Sequence, residues 1–165
     1  MRTSETGENR FEIAYNKYAD ILYRIALSHM SHREDAEDVV QDVFIKYVQS
    51  SIEFSDDEHE KAWLIRVTVN RCRDLLRRRT IRRYVTFDEI EEIAEEDGTE
   101  DESGVISLVS SLPDKYKSVM VLHYLEGYSV EKTASILGLS LSAAKMRLSR
   151  GREMLKIAME DQEKL

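Results

Sequence analysis

The sequence has few of the residues that disulfides, cysteine-based metal sites and sharp turns require. Of its 165 residues, one is cysteine, one is proline and six are glycine. Because Cys72 stands alone, it forms no intramolecular disulfide and no cysteine-based zinc site, as is typical of a protein from a reducing compartment. Little proline and glycine suits helices joined by few turns rather than a strand-rich sandwich. The sequence therefore predicts an all-α protein.

Long apolar runs and the signatures of common enzymes are also missing. No stretch approaches the roughly 18 consecutive apolar residues that span a bilayer, and the N-terminus lacks an apolar signal core. We therefore expect a cytoplasmic protein that does not insert into a membrane. There is no Gly-rich phosphate loop, no G-x-S-x-G turn and no histidine pair at metal-ligand spacing, so we expect no catalytic residue, metal or cofactor. A helical hydrolase with dispersed carboxylates is the least favoured class.

The negative charge of the chain is concentrated in one segment. A net charge of −8 argues against nucleic-acid binding, which depends on cations. Residues 1–83, however, carry 15 basic and 15 acidic side chains. Residues 84–104 carry ten acidic side chains and no basic one, and residues 105–165 carry nine basic and seven acidic side chains. The acidic excess therefore lies almost entirely between two less charged parts of the chain.

This acidic segment predicts a division of the chain into two domains. Residues 84–104 are expected to form a linker between a helical domain at 10–83 and a second one at 105–162. A solvated tether is the favoured interpretation of the linker. An alternative is that its charge imitates nucleic acid, so that it lies in a basic channel of a partner or folds back on nearby arginines.

Those arginines precede the linker on a predicted helix at 62–79. Between residues 66 and 83 there are eight arginines and a single acidic residue, Asp74. Five apolar side chains can pack inward, namely Trp63, Leu64, Val67, Leu75 and Leu76. Four polar ones face elsewhere, namely Arg66, Asn70, Arg73 and Arg77. Such a helix suits a membrane surface, an acidic protein or a nucleic-acid backbone.

Two further helices are expected in the first half, at 11–27 and 35–49. Ser31 and Glu34 form the S-x-x-E pattern of a capping box ahead of the second helix. That helix has an apolar stripe of Ala36, Val39, Val40, Val43, Phe44, Tyr47 and Val48. Its opposite face carries Asp38, Gln41, Asp42, Ile45 and Gln49. Such a face is usually solvated, and Ile45 is the one hint of a docking surface.

The last third of the chain has the pattern of a helix-turn-helix. Ser129 can cap a first helix containing Val130, Ala134 and Leu137, Gly138 supplies the turn, and Ser140 can cap the second helix. The predicted buried stripe of the second helix is Leu141, Ala144, Leu148 and Leu155. Lys145, Met146, Ser149 and Arg150 are predicted to face the major groove, and Ser142, Arg147 and Arg152 the DNA backbone. An ordinary helical hairpin with a basic solvent face is the alternative interpretation.

From about residue 10 to residue 160 the sequence resembles the extracytoplasmic-function sigma factors, the smallest members of the sigma-70 family. Three stretches carry the resemblance: DAEDVVQDVF (35–44), AWLIRVTVNRCRDLLRRR (62–79), and residues 112–152 with the helix-turn-helix. They are similar to the polymerase-clamp helix, the minus-ten helix and the minus-thirty-five module of that family. The resemblance implies a sigma factor that binds core RNA polymerase and promoter DNA and is held inactive by an anti-sigma factor.

Residue by residue, the resemblance implies that Asp38, Gln41 and Asp42 face the polymerase clamp. It places Asn70 near the flipped minus-ten base, with the neighbouring arginines holding the separated strand. Ala144 stands where the family usually has valine, and Met146 where a small polar residue is common. Because of these departures, the resemblance does not imply which promoter sequence the chain recognises.

The alternative function is a stand-alone helix-turn-helix regulator whose first half senses a signal or dimerises. Such regulators bind two half-sites about one helical turn apart. Eight arginines within residues 66–83 have no evident use in a sensor domain. The sequence therefore favours the sigma factor.

Overall fold

The computed structural model describes residues 2–85 and 103–163, and both ranges are helical. Across them run seven α-helices: α1 (Arg2–Met30), α2 (Arg33–Gln49), α3 (Asp57–Val85), α4 (Ser103–Ser110), α5 (Asp114–Met120), α6 (Val130–Leu137) and α7 (Leu141–Glu163). No strand occurs in either range, which confirms the predicted all-α fold. The predicted linker lies outside the described residues over 86–102, and its two ends are helical parts of α3 and α4.

Helices α1, α2 and α3 form the first module, in which α1 packs along both of the others. The predicted stripe of α2 is buried from Ala36 to Tyr47. Val48 was predicted to belong to this stripe but is 55% exposed. It follows Tyr47 by 100° around the helix, which turns it past the edge of the core and beside the exposed Ile45.

The predicted capping box between α1 and α2 is wrong. The residue that caps α2 is His32, without a side-chain hydrogen bond. Ser31 instead adopts the left-handed conformation, with φ 66°, and its N–H donates to the carbonyl of Leu27. A residue in this conformation ends a helix. Ser31 therefore terminates α1 rather than starting α2.

Helix α3 begins five residues earlier than predicted, at Asp57. Residues 50–61 are rich in serine and acidic side chains, a composition that predicts a loop. The loop ends at Asp56, whose carboxylate accepts a hydrogen bond of 2.8 Å from the backbone N–H of His59. An aspartate in this position caps a helix N-terminus. The serines and acidic residues that suggested a loop therefore include the start of the helix.

The buried face of α3 is also wider than predicted. Of the five predicted inward residues, Leu64 is fully buried and the other four are half-buried. Ile65, Thr68, Val69 and Cys72 are buried as well. Helix α3 packs against α1 and α2 in its own module and against α6 of the second module. Because neighbours cover it from two directions, a single inward stripe does not describe it.

The second module consists of α4 to α7. Pro113 precedes the first turn of α5, where its missing N–H costs no helical hydrogen bond. Helix α5 continues into a π-helical turn at Val121–Leu125, and Gly127 follows with φ 76°. Glycine adopts this left-handed conformation without steric cost, which makes it suitable for leaving a helix. Helix α7 then packs across α5 and α6.

The two modules pack against each other. Helix α1 contacts α4 and α5, and α3 contacts α6. The buried apolar side chains form one continuous cluster that extends from Ala14 in α1 to Leu148 in α7. In the described ranges no helix is both long enough and apolar enough to cross a membrane.

Candidate DNA and polymerase interfaces

The outer face of α2 combines polar and apolar side chains. Asp38 and Gln41 are exposed, as predicted, and Ile45 and Val48 continue the same side of the helix with 54% and 55% exposure. Exposed aliphatic side chains next to carboxylates are typical of a binding surface. We call Asp38, Gln41, Asp42, Ile45 and Val48 the α2 face.

Asp42 on the α2 face is not a lone carboxylate. Arg71 of α3 contacts its Oδ2 through Nε at 3.0 Å and through a terminal nitrogen at 2.9 Å. A second ion pair, Arg79 to Asp35 at 3.0 Å, joins the same two helices. Two of the arginines that suggested nucleic-acid binding therefore also fix α2 against α3. The sequence showed the charges but not the pairing, because the partners lie far apart along the chain.

Helix α3 presents the predicted polar row. Arg66, Asn70, Arg73 and Arg77 are all exposed and follow one another at intervals of three or four residues. Side chains at these intervals share one face of an α-helix. Arg77 also pairs with Asp74 at 2.7 Å, which neutralises the one carboxylate in the arginine-rich stretch.

Arg66 makes a contact that the sequence did not reveal. Its Nε donates to the carbonyl of Ile136 at 2.7 Å, and a terminal nitrogen donates to the carbonyl of Ser135 at 2.8 Å. Both carbonyls lie in the last turn of α6, where helical carbonyls lack intrahelical partners. Arg66 of the first module therefore caps the first helix of the helix-turn-helix.

The helix-turn-helix has the local structure that its sequence predicts. The hydroxyl of Ser129 accepts from the N–H of Lys132 at 3.0 Å, and that of Ser140 accepts from the N–H of Ala143 at 3.1 Å. Gly138 between the helices has φ 68°, which favours glycine. Two serine caps and one glycine therefore define the turn.

Helix α7 is held by Ala144, Leu148 and Gly151, all of which are buried. A Cβ atom on Gly151 would lie 2.8 Å from Sδ of Met120, so glycine permits the close approach of α7 to α5. No sequence pattern pointed to Gly151. Leu141 was predicted to be buried but is 40% exposed, because it starts the helix beyond the edge of the module core.

The predicted DNA-contacting residues of α7 fall into two groups. Six are exposed, as predicted, namely Ser142, Lys145, Met146, Ser149, Arg150 and Arg152. Arg147 differs from them because it is half-buried and donates to the carbonyl of Lys115 at 3.3 Å. Arg152 donates to the hydroxyl of Tyr124 at 2.8 Å, which orients its guanidinium.

Residues of α3 and α7 that are predicted to contact DNA line a common cleft between the modules. The cleft has a volume of about 370 Å³ and is lined by Arg66, Val69, Asn70, Arg73, Lys115, Ser118, Leu137, Gly138, Leu139 and Arg147. Four of these ten residues are basic and none is acidic. A basic cleft of this kind attracts anions such as nucleic-acid phosphates.

An arginine-rich helix and a helix-turn-helix in separate modules define a two-part nucleic-acid-binding protein. Comparison with known families gives the class. The family model of Sigma-70 region 2 matches residues 14–82, and that of Sigma-70, region 4 matches residues 104–155. The first match covers α3 and the second covers the helix-turn-helix.

Individual relatives agree with these matches. The ECF RNA polymerase sigma factor SigE of Mycolicibacterium smegmatis is 30% identical over 149 residues, which cover 85% of this chain and 58% of SigE. The RNA polymerase sigma factor CnrH of Cupriavidus metallidurans is 31% identical over 146 residues, which cover 79% of this chain and 76% of CnrH. The structure of the sigma factor RpoE from Bartonella quintana, in complex with the anti-sigma factor NepR, has a TM-score of 0.72 and 26% identity and covers 92% of this chain and 97% of RpoE.

The chain therefore belongs to the sigma-70 family, in the extracytoplasmic-function branch of the RNA polymerase sigma factors. It functions in promoter-specific initiation of transcription by RNA polymerase. Proteins of this family are regulatory rather than catalytic.

Proposed function

We propose that three faces of this sigma factor have separate roles in transcription initiation. The α2 face binds the clamp of core RNA polymerase. Arg66, Asn70, Arg73 and Arg77 of α3 recognise and hold the separated minus-ten strand, and α7 reads the minus-thirty-five element. The domains are 10–83 and 105–162, with 84–104 as the linker, and the protein works in the cytoplasm without catalytic activity of its own.

The observation that carries this proposal is the position of the polar row on α3. Its side chains project from a helix whose opposite face is buried in the module core, so the row is held rigidly. Asn70 can hydrogen-bond the exposed edge of an unstacked base, while the flanking arginines contact phosphates. If this face of α3 were only solvated, arginine would not be required at positions 66, 73 and 77.

For α7 we assign Lys145, Met146, Ser149 and Arg150 to base contacts and Ser142, Arg147 and Arg152 to the DNA backbone. The first four are fully exposed, which suits insertion into the major groove. The orientation of Arg152 by Tyr124 suits a fixed phosphate contact. Arg147 can reach a phosphate only by releasing the carbonyl of Lys115.

Reconstituted transcription tests the function directly. We expect the purified chain to direct core RNA polymerase to start at specific sites, and the Asn70→Ala variant to lose open-complex formation while retaining polymerase binding. Asp20→Ala is a control, because Asp20 is exposed on α1 outside the proposed faces. Transcription that does not change when the chain is added would refute the proposal, as would tight duplex binding by a dimer without polymerase.

We further propose that an anti-sigma protein controls this chain. Its structural relative RpoE was solved with the anti-sigma factor NepR, and 92% of this chain matches that sigma factor. Co-purification of the native protein tests this proposal. Recovery in complex with a dedicated inhibitor is expected, whereas recovery only as free protein or with polymerase would contradict it.

A further inference from the structure

Helix α5 and the π-helical turn that follows it pack closely across α7. Met120, the last residue of α5, lies against Gly151 of α7, where an added Cβ atom would come within 2.8 Å of its Sδ. Gly151 is flanked by two exposed arginines, Arg150 and Arg152, which the proposed function assigns to DNA. Side chains one turn to either side of Met120 are therefore placed near these two arginines.

Tyr124, four residues after Met120, holds Arg152. Its hydroxyl accepts a hydrogen bond of 2.8 Å from a terminal nitrogen of that arginine. The ring of His123 packs edge-to-face on Tyr124, with the two centroids 4.8 Å apart. His123 is fixed in turn, because its Nδ1 lies 2.7 Å from the carbonyl oxygen of Tyr128. The phenol that contacts Arg152 is therefore supported by its own turn of the chain.

Tyr116, four residues before Met120, lies beside Arg150. Its ring is buried, and the ammonium of Lys115 lies 5.0 Å from the ring centroid. Burial raises the pKa of Tyr116, but hydrogen bonds with Lys115 and Arg150 outweigh burial and lower that pKa. Arg147 donates to the carbonyl of Lys115 at 3.3 Å, which places this part of α7 against the start of α5. Each arginine beside the glycine therefore has a tyrosine partner.

The π-helical turn helps to bring the two tyrosines into line. Eight residues of a regular α-helix advance by two full turns and about 80° more, because each residue turns by about 100°. Across Val121–Leu125 the hydrogen bonds span five residues, as from the N–H of Glu126 to the carbonyl of Val121 at 3.0 Å. Such a turn holds more residues, so each one turns by less than 100°. The wider turn therefore removes part of the offset between Tyr116 and Tyr124.

We propose that Tyr116 and Tyr124 are positioning residues for DNA recognition, which hold Arg150 and Arg152 in the orientations that their DNA partners require. A guanidinium that is oriented beforehand loses less conformational entropy when DNA binds. A phenol hydroxyl orients the guanidinium without cancelling its charge, as a carboxylate would. The roles of the two arginines rest on the proposed function, whereas their contacts with the tyrosines do not.

Each tyrosine is expected to reproduce, in weaker form, the effect of removing the arginine that it holds. Tyr116→Phe should reduce discrimination at the one base pair that Arg150 contacts. Tyr124→Phe should weaken binding to all minus-thirty-five sequences about equally, as loss of Arg152 should. We expect each change to be about two- to fivefold, because the arginine itself remains. Holoenzyme binding to a set of single-base promoter variants measures both effects.

A double-mutant cycle distinguishes positioning from an independent effect. Tyr124→Phe should weaken binding of the otherwise wild-type chain and have no further effect in the Arg152→Ala chain. Tyr128→Phe is a matched control, because it removes a hydroxyl from the same segment that hydrogen-bonds Lys61 of the first module instead of α7. It should leave minus-thirty-five binding unchanged. Urea unfolding should show similar stability for the Tyr124→Phe and wild-type chains, which a purely structural role would not allow.

Two results would overturn the inference. One is that both tyrosine variants bind every promoter as tightly as the wild type, although Arg150→Ala and Arg152→Ala show their expected losses. The other is that the losses of Tyr124→Phe and Arg152→Ala simply add in the double variant. If the two arginine variants themselves bind all promoters like the wild type, the proposed function of α7 fails, and the inference fails with it.

Discussion

The two helices that we propose contact DNA, α3 and α7, differ in how their polar rows are presented. Both bury one face and expose rows of polar and basic side chains. On α3, Arg66 is bound by carbonyls of the other module, and Asn70 and Arg73 line the cleft between modules. On α7, Lys145, Met146, Ser149 and Arg150 face outward from the whole molecule.

This difference means that the α3 row is coupled to the second module through Arg66. The α7 row is exposed, and Arg66 at the start of the α3 row is also exposed but donates to the carbonyls of Ser135 and Ile136. Substitutions in each helix test this distinction. The first substitution tests whether the shared core positions α7.

Leu148→Ala should have the largest effect. Leu148 is 2% exposed at the end of the apolar cluster that spans both modules. Removing it should lower the free energy of unfolding by about 2–5 kcal/mol, measured by urea denaturation. Met146→Ala on the exposed side of α7 should change it by about 0.5 kcal/mol or less. Equal effects of the two variants would contradict the described packing of α7.

Arg150→Ala should separate base reading from general DNA attachment. Loss of a bidentate base contact should reduce discrimination at one base pair of the minus-thirty-five element by about 1–3 kcal/mol. Arg152→Ala should instead weaken binding to all sequences about equally, because its proposed partner is a phosphate. Holoenzyme binding to a set of single-base promoter variants measures both. A uniform loss in Arg150→Ala would assign that residue to the backbone.

Asp38→Lys tests the α2 face independently of both DNA readers. Charge reversal at a polymerase interface should weaken core polymerase binding about tenfold, or roughly 1.4 kcal/mol. Asp20→Lys makes the same charge change at an exposed position of α1, outside the α2 face, and should leave binding nearly unchanged. Titration of labelled protein with core polymerase gives the two dissociation constants. If both variants bind equally well, Asp38 is not at the interface.

Ser129→Ala should have the smallest effect and concerns the orientation of the helix-turn-helix. Its hydroxyl caps α6, so its removal should lower stability by about 1 kcal/mol, measured by thermal or urea unfolding. Ser142→Ala, an exposed serine in the first turn of α7, should cost less. The reverse order would mean that the cap on α6 contributes little to the module.

The sequence alone predicted the structure correctly where that structure depends on neighbouring residues. Helical periodicity, the caps at Ser129 and Ser140, and the left-handed turn at Gly138 each depend on residues within a few positions of one another. The exposed rows of α3 and α7 follow from the same periodicity. Where a local pattern had two possible uses, as at Ser31, the sequence led to the wrong one.

Contacts between distant residues decided the rest. Arg66 and Ile136 are 70 positions apart, and His29 and Ser118 are 89 apart, so no periodicity connects them. Composition and periodicity indicated that this chain is helical, and the order of its motifs indicated a sigma factor. Only the tertiary structure decided which arginines pair with carboxylates, which one caps α6, and why α3 is buried on two sides. These depend on which surfaces fold together, a property of the whole chain rather than of any segment.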